Sequence, residues 1–166
     1  MKKLLLTLAF ILSISSYAQL TSQEKEQAKI PVITNDIRMP KMLKDFYDTS
    51  RYYRVEYKNQ LLNLKEIRYI KSDLNFLGAL SEDGSIIFLN VELLQYEYLS
   101  RIILYRQFGK LYGLEDNEKK GHAMMGTHWK LDLQHELYAR HLAERPWHKA
   151  NFFEALAKKA PIEVRL

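Results

Sequence analysis

The sequence predicts an α+β domain, with a short mixed or antiparallel sheet laid on a long central helix. Three observations point there. Apolar residues at helical spacing begin at Lys41. Two apolar runs then flank Glu82-Asp83-Gly84, a pairing signal for a β-hairpin. After Asn90 the pattern turns helical again and stops at Gly113, a residue suited to the left-handed position that ends a helix.

Element by element, Pro40 suits a first helical turn, and Met42, Leu43, Phe46 and Tyr47 form one face behind it. Leu64 to Ile70 reads as a strand with Ile67 and Tyr69 on one side and Arg68 between them. Phe76 to Leu80 and Ser85 to Leu89 make the hairpin, with Ser81 and Ser85 as turn residues. Asn90 is the expected cap of the long helix, along which Leu94, Tyr98, Ile102 and Arg106 step in line. Glu115 to Gly126 is a polar loop. Thr127 is the expected cap of a helix over Trp129 to Leu142, and a last helix runs from about Lys149 to Lys159. Val32-Ile33-Thr34 is a short extended piece between Pro31 and Pro40.

The first residues read as an export signal rather than as part of the fold. Lys2 and Lys3 precede an apolar run from Leu4 to Ile14 of about eleven residues, too short for a membrane span and right for a signal-peptide core. Ser16-Tyr17-Ala18 offers small residues for cleavage after Ala18. The expected organisation is residues 1–18 as signal peptide, 19–39 as a polar N-terminal arm and 40–166 as one domain. The mature chain is expected to be exported to the periplasm or secreted, without a membrane span.

Composition closes several routes. Cysteine is absent, which removes disulfides, thiol nucleophiles and a lipidated N-terminal cysteine. Loss of Lys2 and Lys3, with no acid in 1–18, lowers the formal charge of +5 by two. No run of five basic residues occurs, so nucleic acid is not an expected partner. There is no nucleophile elbow around a serine and no glycine-rich phosphate loop ahead of a helix. The five histidines, His122, His128, His135, His141 and His148, lack ligand spacing. His135-Glu136 looks like half of a zinc motif, but Ala139 stands where the second histidine belongs. Tyr52-Tyr53-Arg54 and Tyr96-Glu97-Tyr98 have the composition of an interface and equally that of a core rim.

The informative stretch runs from Leu104 through Arg106-Gln107-Phe108-Gly109-Lys110-Leu111-Tyr112-Gly113-Leu114-Glu115-Asp116 to His122-Ala123-Met124-Met125-Gly126. It resembles the zinc segment of the metzincin metalloproteases, H-E-x-x-H-x-x-G-x-x-H followed by a methionine turn. The resemblance is specific from Leu104 to Met125 and looser over about residues 40 to 160. It implies a small zincin-like domain in which Gly113 holds the turn, Gly109 matches a common helix residue, and Met124-Met125 form the methionine turn, Met125 being the family's methionine. The same frame puts Arg106 and Lys110 at the first two histidine positions, Gln107 at the glutamate and Asp116 at the third ligand.

The chemistry of that motif is lost. A guanidinium has no lone pair for a metal, and a lysine must first shed its proton. Arg106 and Lys110 share a helix face. At ~4 Å and an effective dielectric near 20, each unit charge repels another by about 4 kcal/mol, and a dication doubles this. Gln107 is no base at neutral pH. The reading is an exported pseudoprotease without catalytic residues and without zinc, acting by binding a peptide or protein, with Arg106 or Lys110 paired to Asp116 or Glu115 in place of the metal's charge. The alternatives are a metalloprotease-related hydrolase with a non-standard or residual site, and a structural envelope protein whose likeness is accidental.

Overall fold

The structure is a computed structural model that describes residues 36–56, 61, 63–71, 76–117, 124 and 129–162. Helix α1 spans Met39–Tyr52, with Pro40 in its first turn, where a missing N–H costs nothing. Met39, Met42, Leu43, Phe46 and Tyr47 are buried along one face. The helix closes unusually. Arg54 takes φ 56, its N–H bonds the Arg51 carbonyl at 3.1 Å, and the Val55 N–H bonds the Ser50 carbonyl at 2.8 Å. Glycine normally occupies that position.

Ahead of α1, the buried Asp36 carboxylate accepts hydrogen bonds from the Arg38 backbone N–H at 2.9 Å, the Arg38 guanidinium at 2.9 and 2.8 Å and the Tyr69 hydroxyl at 2.7 Å. The last residues of the segment read as an arm therefore belong to the fold. Burial pushes the Asp36 carboxyl up, but the hydrogen bonds from Arg38 and Tyr69 outweigh it and leave a net lowering. The expected signal segment and Val32-Ile33-Thr34 lie outside the described residues. All described residues fall in one unit, Val32–Leu166.

Strands β1 (Glu66–Ile70), β2 (Gly78–Leu80) and β3 (Ile86–Asn90) form a mixed sheet in the order β1-β3-β2. β3 lies parallel to β1, with Ile67 opposite Ile87, and antiparallel to β2, with Ala79 opposite Phe88. The hairpin turn is built as its residues suggest. Gly84 has φ 68. Asp83 accepts from the Ser81 hydroxyl at 2.6 Å, the Ser85 N–H at 3.0 Å and the Ser85 hydroxyl at 2.8 Å, and these bonds hold its pKa at about 2.

Asn90 caps a short 3-10 helix, Val91–Gln95, by accepting from the Glu92 N–H at 2.9 Å, and not the long helix. The long helix α2 starts later, at Glu97, and runs to Leu111. Leu94 thus lies outside it. α2 is buried on nearly every side, Leu99, Ile102, Ile103, Leu104, Tyr105 and Phe108 included. It packs on β2, β3 and the next helix, and a helix apolar all round is a core helix.

Helix α3 spans Leu133–Glu144 and is capped by Asp132, whose carboxylate accepts from the His135 N–H at 2.8 Å. Thr127, the expected cap, lies outside the described residues. Pro146 opens α4 (Pro146–Lys159), three residues before the expected start. Phe46 is the hub of the core. Its ring centroid lies 4.5 Å from Phe108, 5.5 Å from Tyr105 and 5.5 Å from Phe153, which joins α1, α2 and α4. No helix among the described residues is long and apolar enough to cross a membrane.

Candidate functional site

The last two turns of α2 carry Arg106, Gln107 and Lys110. Past them the helix ends in a Schellman closure: the Gly113 N–H bonds the Lys110 carbonyl at 2.9 Å and the Leu114 N–H bonds the Gly109 carbonyl at 2.8 Å. Gly113 has φ 73, a backbone that only glycine adopts without strain. The closure turns the chain back on the helix and brings Asp116 to Arg106. One guanidinium nitrogen, Nη2, donates to both carboxylate oxygens, at 2.7 Å to Oδ1 and 2.8 Å to Oδ2. Lys110 Nζ lies 4.0 Å from the same Oδ1. Arg106, Lys110 and Asp116 thus form one charged cluster. Its acid is Asp116; Glu115 is exposed. The Arg106 side chain is only 12% exposed, against 44% for Asp116, so the cation is the more deeply held partner.

Gln107, on the same stretch of α2, points elsewhere. It is fully buried, and among the described residues neither its amide nitrogen nor its amide oxygen has a hydrogen-bond partner. A buried polar group left this way costs about 1–3 kcal/mol. It lies against β2: a Cβ placed on Gly78 would stand 3.1 Å from Gln107 Nε2 and 2.7 Å from Ile103 Cγ2. Glycine at position 78 lets the edge strand approach α2, a close fit that no sequence pattern flags.

Gly109 is required by packing. A Cβ there would overlap Met124 Sδ and stand 3.2 Å from Phe152 Cε2. Met124 is fully buried beneath the helix, and its carbonyl accepts from the Asn117 N–H at 2.9 Å. Met125, His122 and Gly126 lie outside the described residues. The methionine in contact with α2 among those described is therefore Met124, and Met125 keeps its assigned place only as an expectation.

The remaining candidates separate. His135 Nδ1 lies 2.7 Å from Asp132 Oδ1, at the start of α3. His141 is exposed and His148 is buried, while His122 and His128 lie outside the described residues. Among the described residues no three His, Asp or Glu side chains converge as metal ligands. Tyr52 is exposed, whereas Tyr53 stacks on Phe153 with centroids 5.8 Å apart.

Glu136 has a role that its place in the sequence did not suggest. Its carboxylate accepts from the backbone N–H of Tyr98 at 3.0 Å and of Leu99 at 2.8 Å, the unpaired donors at the start of α2. Tyr96, the N-cap residue itself, supplies no capping bond from its side chain, which donates instead to the Leu131 carbonyl at 3.2 Å. A carboxylate at a helix N-terminus also meets the positive end of the helix dipole.

No protein-family model, curated protein or solved structure matches the chain.

Proposed function

We propose that the chain is a catalytically inert, metzincin-like domain that acts outside the cytoplasm by binding an extended peptide or protein segment. The observation that carries the reading is the Arg106–Asp116 ion pair, with Lys110 beside it. In the metzincin frame these are the three ligand positions, and here their charges pair with one another. Zinc does not fit this donor set. Arg106 offers no lone pair, Lys110 is a second cation, Gln107 cannot take a proton at neutral pH, and Asp116 is one carboxylate already bonded. No hydrolytic step through a metal follows from these residues.

The binding surface in this reading is the outer edge of β2, beside α2. The Leu77 carbonyl accepts from Asn90 and the Ser81 N–H donates to Ile86, so residues 77 and 81 turn their backbone groups toward β3. By the two-residue period of a strand, Gly78 and Leu80 turn theirs away from it. Among the described residues β2 pairs with β3 alone. An edge of this kind accepts an added strand.

Three measurements test the reading on the mature chain. Elemental analysis after dialysis should find no stoichiometric zinc. Labelled casein, an unstructured polypeptide, should bind without being cut, with or without chelator. Leu80→Pro, which removes an outward N–H and leaves the bonds to β3 intact, should weaken that binding at least tenfold. Retained zinc, or cleavage that a chelator stops, overturns the proposal. A combined Arg106→His, Gln107→Glu, Lys110→His and Asp116→His variant should gain zinc; its failure to do so favours an accidental likeness to the metzincins.

A further inference from the structure

A second region of α2, a turn and more before the charged cluster, faces a partly enclosed cavity of ≈ 40 Å³. α2, the end of α3 and the start of α4 supply its walls. Tyr105 and Phe152 form one of them, stacked with centroids 5.8 Å apart and ring planes 14° from parallel. Ile102, Leu142 and Ala143 add aliphatic surface, and Arg101, His148 and Lys149 bring basic groups to the lining.

Two cations in this lining, Arg101 and Lys149, are incompletely paired among the described residues. Arg101 reaches Asp45 at 3.4 Å, while its Nε is buried and has no hydrogen-bond partner. Lys149 is half-buried, and no acid lies within ion-pair distance of it among the described residues. Two carboxylates on α1, Asp45 and Asp48, are the acids that act on it, and Asp48 is held at 2.6 Å by Lys44. Burial, with Arg101 adding to it, pushes the Lys149 amine down against the opposing pull of Asp45 and Asp48. A half-buried cation without a close counter-charge is a costly arrangement that an anion relieves.

We infer that this cavity binds a small organic carboxylate, with the anion received by Arg101 and Lys149 and a short apolar body laid against Tyr105 and Phe152. The size of the cavity sets the body, since a space of ≈ 40 Å³ accepts about three or four heavy atoms. The aromatic and aliphatic walls favour a monocarboxylate over phosphate, whose several oxygens would each need a donor. A cationic ligand would meet two like charges.

Propionate and its neutral isostere propionamide are the probes, titrated calorimetrically into the mature chain at constant ionic strength. Propionate should bind at least tenfold more tightly than propionamide. Lys149→Gln and Arg101→Gln should each weaken propionate at least tenfold and leave propionamide unchanged. Ala143→Leu, which fills the cavity from its α3 wall, should abolish binding of both. Lys149 makes no close ion pair, so Lys149→Gln keeps the test sound if loss of the Arg101–Asp45 contact disturbs folding. Equal affinity for acid and amide, no binding of propionate, or indifference to Lys149→Gln overturns the inference.

Discussion

Gly109→Ala sets two effects of opposite sign against each other. In an open helix interior the change stabilises by about 1 kcal/mol, because alanine loses less backbone freedom than glycine. Here the added methyl meets Met124 Sδ and comes within 3.2 Å of Phe152 Cε2. Met124 is 0% and Phe152 1% exposed, so neither can move aside into solvent. The overlap falls on the sulfur, in the middle of the Met124 side chain, so Met124 must leave its rotamer. Overpacking a close core costs about 1–3 kcal/mol, and subtracting the helix gain leaves a net loss of roughly 0–2 kcal/mol. Urea unfolding of the protein reads this as a lower midpoint at unchanged slope. A double-mutant cycle locates the cause. Met124→Ala alone removes a buried methionine and costs about 2–5 kcal/mol. In the double variant the new methyl enters the vacated space, so the two losses should fall short of additive by at least ~1 kcal/mol. A stabilised Gly109→Ala, or strictly additive losses, would refute the contact between helix and methionine on which the site geometry rests.

Three further changes have signs set by the structure. Glu136→Ala strips two donors at the start of α2 of their acceptor and should cost about 1–2 kcal/mol, measured by urea unfolding, with Glu136→Gln retaining part of it; no change would mean that Tyr98 and Leu99 are satisfied otherwise. Arg54→Gly places glycine at a φ of 56 and should raise stability by about 0.5–1 kcal/mol, read as a higher melting temperature. Asp36 has a folded-state pKa below its unfolded value, so its contribution is present above about pH 4 and lost as pH falls through the folded value; Asp36→Asn should therefore flatten the acid limb of the stability–pH curve, and an unchanged limb would place the acid sensitivity elsewhere.

The elements that rest on local chain chemistry were legible before the structure. Asp83-Gly84 announced its hairpin because a left-handed glycine and a carboxylate bonding its neighbours are properties of the residues themselves. Gly113 announced the end of α2 for the same reason. The sequence reading paired Arg106 or Lys110 with Asp116 or Glu115, and the structure joins Arg106 to Asp116. Other features depend on residues distant in the chain and left no trace in it. Glu136 caps a helix 37 positions earlier, and no periodicity connects the two. Arg54 takes a conformation that its residue type disfavours, so local propensity points the wrong way. Gln107 is polar and fully buried, where a pattern of apolar and polar residues predicts exposure. The boundaries of α3 and α4 shifted because Asp132 and Pro146, rather than Thr127 and Lys149, carry the start chemistry.

The dependence of α2 on Glu136 sets an order of events during synthesis. The helix at the centre of the molecule is complete in sequence at Leu111, yet its first turn stays open until α3 has left the ribosome. The hub at Phe46 waits longer still, because Phe153 comes from α4. A chain halted before that point would lack the α4 side of its aromatic core, so the domain closes only once α4 has joined α1 and α2.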